Sequence, residues 1–111
     1  IITVDANSQA VVFSNQNQTG NRTINFRGDS STTMDSFLAV GQSYTAAIIL
    51  AQGSSAYYIT SVSIDGSSVT PKWVGGAPTG GTASAIDTYT FTIIKTASAT
   101  FTVLANLTAY E

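Results

Sequence analysis

Few residues in this chain are equipped for chemistry. Asp5, Asp29, Asp35, Asp65, Asp87 and Glu111 are its only carboxylates, and Arg22, Arg27, Lys72 and Lys95 its only bases; histidine and cysteine are absent. Without either, neither a Ser-His-Asp nor a Cys-His nucleophile can be assembled, and no thiolate can ligate a metal. No two acids fall within a short motif, so paired-carboxylate hydrolysis would have to draw on distant strands. Calcium needs clustered oxygen ligands and finds no Asp-x-Asp spacing. The chain therefore reads as a non-enzyme, with no catalytic residue, no metal site and no cofactor.

GGAPTGGT, at 75 to 82, has the G-x-x-x-x-G-x-T spacing of a phosphate-binding loop. Gly81 stands where that motif needs Lys, and strand-like IDTYTFT follows in place of a helix whose N-terminus would face the phosphate. It reads better as a flexible inter-strand loop. Trp73, Tyr57, Tyr58, Tyr89 and Tyr110 are candidates for a stacking platform for sugars, against the plainer reading of core or inter-chain packing at alternating strand positions. Joined to the glycine loop, they define a candidate binding set of Tyr57, Tyr58, Trp73, Gly75, Gly76 and Pro78. Three N-x-T triplets, at Asn17, Asn21 and Asn106, are expected by chance in a chain this rich in Thr and Ser.

The elements that must hold these residues are strands. Alternation of β-branched and aromatic residues recurs from end to end, and no segment sustains helical periodicity over ten residues. IDTYTFTIIK (86 to 95) and ATFTVLANLTAY (99 to 110) form a hairpin across the TAS link, with Tyr89, Phe91 and Ile93 facing one way and the threonines the other. IITVD (1 to 5), AVVFSN (10 to 15), RTINFR (22 to 27) and SYTAAIILAQ (43 to 52) are further strands. AYYITSVSI turns at Asp65-Gly66 into SSVTPKWV. A two-residue turn there pairs Ile64 with Ser67, Val62 with Val69, Thr60 with Pro71 and Tyr58 with Trp73, while Pro71, which lacks an N–H, marks an edge or a strand end. Thr33 or Ser31 can cap one helical turn that stops at Gly41. These elements predict a single all-β domain over 1–111, an antiparallel, jelly-roll-like β-sandwich of seven to eight strands with at most one short helical turn. Phe26, Ile49, Val62, Trp73, Phe91 and Val103 are its expected core.

Composition bears on partners. Charged residues are 9% of the 111, against roughly 25% in ordinary domains, and Ser, Thr, Ala and Gly take their place. A surface so poor in charge predicts cover by partner chains. Four bases at a net charge of −2 cannot build a phosphate-neutralising patch, which excludes nucleic acid. The longest apolar run, AAIIL, is far short of the ~20 residues of a membrane span, so no membrane insertion is expected. Ile1 stands where an initiator Met would, so the chain reads as a piece of a longer or processed protein.

From MDSFLAVGQSYT onward, the ordered series VGQS, SSAYY, DGSSVTPKW, GG-PT-G, IDTYTFTIIKT and FTVLA resembles a C-terminal β-rich domain of tail-fibre and virion structural proteins of tailed, especially marine, bacteriophages. The resemblance spans roughly 35 to 110. It implies a non-enzymatic structural module of the extracellular virion, a tail-fibre or spike domain near the tip that attaches to the host. It also implies a homotrimer in contact with other virion proteins and a host surface glycan. Residues 1–34 match less clearly and are read as docking or oligomerisation strands. Decoration of the capsid surface is the alternative within the virion, and a carbohydrate-binding module of a secreted protein the alternative outside it.

Overall fold

A computed structural model describes residues 1–14 and 16–111. Its elements, in order, are β1 (Ile2–Asp5), β2 (Val11–Ser14), β3 (Arg22–Arg27), α1 (Met34–Phe37), β4 (Ser43–Ala51), β5 (Ile59–Ile64), β6 (Ser67–Val69), β7 (Lys72–Trp73), β8 (Ile86–Ala97) and β9 (Thr100–Tyr110). The chain is thus mainly β with one helical turn, as its alternation predicts. The last residue of the strand read over 10 to 15, Asn15, lies outside the described residues. SSVTPKWV, expected as one strand, is split into β6 and β7.

The strands make two sheets, ordered β1-β3-β5-β6 and β2-β4-β8-β9-β7. Both are mixed, which corrects the antiparallel, jelly-roll-like expectation. β1 with β3, β3 with β5, β2 with β4 and β7 with β9 run parallel. Only β4 with β8, β8 with β9 and β5 with β6 are antiparallel. From β1 to β5 the chain changes sheet at every connection, and two crossings return it to its first sheet pointing the same way. Hairpins form only where two residues link the strands, at Asp65-Gly66 and Ser98-Ala99; Asp65, Gly66 and Ala99 take the positive φ that tight hairpin turns require.

The two sheets share one core, fed by the inward half of each alternation. Phe26 of β3 meets Phe91 of β8 edge to face at 5.5 Å, and Tyr89 stacks parallel to Phe91 at 6.1 Å. The Tyr89 hydroxyl is satisfied across the sheets by accepting the Ile59 N–H at 3.2 Å. Burial, the main cause, pushes this phenol up to about 12. Phe26, Val62, Phe91 and Val103 are buried as expected, whereas Trp73 is half-buried. Ile49, also expected in the core, faces outward instead. β4 turns Ala46, Ile48 and Leu50 inward and Ile49 outward. A strand apolar on both faces carries no period from which to choose the inner one.

The β5–β6 hairpin keeps the expected register at Val62↔Val69 and Ile64↔Ser67. The further pairs Thr60–Pro71 and Tyr58–Trp73 do not form. The ladder stops before Pro71, which cannot donate to it, and the chain crosses to the other sheet, where Lys72 and Trp73 pair with Leu104 and Ala105. Asp65 does more than turn the chain. Its carboxylate accepts the backbone N–H groups of Met34 (2.7 Å) and Asp35 (3.1 Å), capping α1 alongside Thr33, whose hydroxyl accepts the Ser36 N–H.

Asp35 in turn ties α1 to the β8–β9 hairpin. Its Oδ1 lies 2.8 Å from the buried Lys95 Nζ and accepts the Ala99 N–H at 2.6 Å, while its backbone carbonyl accepts Lys95 Nζ at 2.6 Å. The hydrogen bond from Lys95, followed by that from Ala99, holds the Asp35 carboxyl below the usual carboxylate range. A carboxyl depressed in the folded state stabilises it above the unfolded pKa, and that stabilisation is lost as pH falls through the folded value. Unfolding midpoints are therefore expected to drop below about pH 4, and Asp35→Asn to flatten that acid limb while lowering stability near neutrality. Urea titrations across pH measure both.

Candidate functional site

Of the residues singled out for binding, the glycine-rich loop is first explained by packing. β4 is followed by Gln52, whose buried amide donates to Asp87 Oδ2 at 3.0 Å and to the Tyr57 carbonyl, and whose Oε1 accepts the Tyr57 N–H at 3.1 Å. Asp87 Oδ2 also accepts the Thr82 N–H at 2.9 Å. One buried glutamine and one buried aspartate thus join the 52–58 segment to the 74–85 loop. Asp87 Oδ1 faces no donor among the described residues. Gly81 lies so close to the 52–58 segment that a Cβ would stand 2.3 Å from the Tyr57 carbonyl oxygen. Gly75 and Gly76, at φ of 75° and 97°, form the turn after β7.

A cleft of about 440 Å³ opens between β5–β6 and β7, with Val62, Val69, Pro71 and Trp73 among its walls and the hydroxyls of Thr60 and Ser68 beside them. Trp73 and Gly76 line it; Tyr57, Tyr58, Gly75 and Pro78 do not. The indole packs edge-on against Tyr89 (6.1 Å) and Phe91 (5.8 Å). Tyr89 is wholly in the core and Tyr110 lies on a different surface, so the five aromatics do not converge on one platform. Tyr58 packs against the core, and its backbone pairs with Asn21 and Arg22. Among the described residues no group of three or more metal-ligating side chains comes together.

A second surface was missed by reading residues for chemistry. The outer face of the five-stranded sheet presents Val11 and Phe13 from β2, Ala47, Ile49 and Ala51 from β4, Ile86 from β8, and Leu104 and Tyr110 from β9, with threonines between them. The register aligns Phe13, Ile49, Thr88 and Thr108 in one row and sets Ala51, Ile86 and Tyr110 in the next. Five of the eight exposed large hydrophobic side chains among the described residues (Val11, Phe13, Ile86, Leu104 and Tyr110) fall on this face, so exposed apolar area is concentrated there. Lys72, at the far edge, is its only charged side chain among the described residues. The other sheet's outer face is mainly polar, carrying Thr3, Thr23, Asn25, Ser63 and Ser68 and the Arg27–Asp5 ion pair at 2.7 Å, with the exposed Ile1 at its rim. Alternation in AVVFS and in TVLANLTAY carried the signal, but which half faced outward depended on pairing.

Comparison with family models, with curated proteins and with solved structures returns no match for this chain. What its surfaces do is therefore argued from their geometry.

Proposed function

We propose that this chain is a non-enzymatic structural module that assembles with identical copies, a homotrimer within a phage virion, in a tail fibre or spike. The observation that carries the assembly is the nearly charge-free outer face of the five-stranded sheet, where Phe13 is 56% and Tyr110 61% exposed. Monomeric domains seldom leave so contiguous an apolar face in water, and such faces mark interaction sites. The virion setting rests on the sequence resemblance over 35 to 110; capsid decoration shares that setting and differs in location. Sedimentation or light scattering of the purified chain tests the reading. The expected mass is three times that of the 11.5 kDa chain. A stable monomer at tens of micromolar overturns it.

One observation favours a second reading, contact with a glycan: the half-buried Trp73 shares its cleft with the hydroxyls of Thr60, Ser61, Ser68 and Thr70. Trp73 is the only tryptophan, so its emission reports directly on that cleft. A saturable change on adding a host-surface glycan supports glycan contact, and an unchanged spectrum across a glycan panel removes it.

A further inference from the structure

Building on the proposed self-assembly, we infer that the outer face of the five-stranded sheet is the surface through which one copy of this chain docks on another. Its occupant is identified by three properties of the face. The first is charge. A partner of opposite charge would need a charged counterpart, yet between β2 and β9 the outward residues are Val, Phe, Ala, Ile, Leu, Tyr, Thr, Ser and Asn, with Lys72 only at the β7 edge. Two identical copies can approach there without like-charge repulsion, which an arbitrary pair of identical surfaces does not allow.

The second is area. Five strands spaced ~4.8 Å apart, the central three 9 to 12 residues long at ~3.3 Å per residue, give roughly 600 Å² in projection. Side chains standing off a pleated sheet expose more than that projection, which brings the face near the ~800 Å² that each partner contributes to a standard interface. The third is contrast within the molecule. The four-stranded sheet, built by the same chain and similarly open to water, carries serines, threonines, an asparagine and an ion pair on its outer face. Hydroxyl-rich strands alone therefore do not explain Phe13, Ile49, Ile86 and Tyr110. Phe13, Ile86 and Tyr110 stand largely in water in one copy, and they and the half-buried Ile49 become covered when another copy docks on the face.

Single charges placed on each sheet test this. Ile49→Lys and Thr90→Lys put an ammonium in the middle of the proposed interface. Thr90 is already exposed, so its variant provides a folded protein even where Ile49→Lys does not. Thr3→Lys puts the same charge on the outer face of the other sheet. Analytical ultracentrifugation over a concentration series, with circular dichroism and Trp73 emission as checks on folding, is the measurement. Both interface variants are expected to weaken self-association at least about 100-fold, because an ammonium is desolvated without a partner in an apolar contact, while Thr3→Lys leaves it unchanged. Assembly that survives Thr90→Lys, or that Thr3→Lys abolishes, overturns this inference and leaves self-assembly standing. A wild-type chain that is monomeric throughout overturns both.

Discussion

Phe91→Ala is expected to be the most damaging single substitution in this fold, costing about 3–5 kcal/mol. Phe91 is wholly buried at the middle of β8 and is the aromatic that the others share. Phe26 reaches it from the opposite sheet at 5.5 Å, Tyr89 stacks on it, and Trp73 closes on it from β7 at 5.8 Å. Truncation leaves three rings facing a void that they cannot fill without unpairing strands from two sheets. A domain of this size has only about 5–15 kcal/mol of stability in total, and no disulfide supplements the core. Urea denaturation followed by Trp73 fluorescence measures the loss at the site of damage. Phe13→Ala is the matched control: the ring is exposed in one chain, and its removal should change the intrinsic stability of that chain by no more than about 0.5 kcal/mol. Equal losses from the two substitutions would mean that the burial assigned to Phe91 is wrong.

Gly81→Ala is expected to cost about 1–3 kcal/mol by overpacking, and to break a hydrogen-bond network along with it. The added methyl would lie 2.3 Å from the Tyr57 carbonyl oxygen, 3.0 Å from its carbon and 2.8 Å from Gln52 Nε2. Two of those atoms are backbone, so the 52–58 segment has to move away, and with it go the Gln52 bonds to Tyr57 and Asp87. Gly80 offers the comparison, since a Cβ there meets nothing within 4 Å, and Gly80→Ala should stay within about 0.5 kcal/mol. Hydrogen exchange at the amides of Tyr57 and Thr82 reads the local part of the effect: both should exchange faster in Gly81→Ala and at the wild-type rate in Gly80→Ala. Similar behaviour of the two variants would dissociate Gly81 from the packing of these segments.

Much of this was legible in the sequence wherever neighbours along the chain decide the outcome. The alternation of Tyr89, Phe91 and Ile93 against threonines marked the inner side of β8, and Asp65-Gly66 marked a hairpin whose first pairs, Ile64 with Ser67 and Val62 with Val69, form as read. The candidate binding set was legible only as a list. Its members were chosen for aromatic rings and glycines. The fold sends Trp73 and Gly76 to a cleft, ties the backbone of Tyr57 to a buried amide, and reserves its closest glycine contact for Gly81, which was not in the set. Gly81 resembles Gly80 in sequence and differs from it only through a segment more than twenty residues earlier.

By itself the sequence determined a mainly β chain without histidine or cysteine, because period-two alternation and residue type are local properties that need no partner strand. It also determined a surface poor in charge, but not where the apolar part of that surface would gather. Tertiary structure alone decided that the early strands cross between sheets and pair in parallel, that Ile49 and not Ile48 faces out, and that Val11, Phe13, Ile86 and Tyr110 share one face. Each of these depends on which strands lie side by side. Pairing is set by how the whole set of strands buries its apolar halves together, and a slip of one residue in any strand would exchange its inner and outer faces.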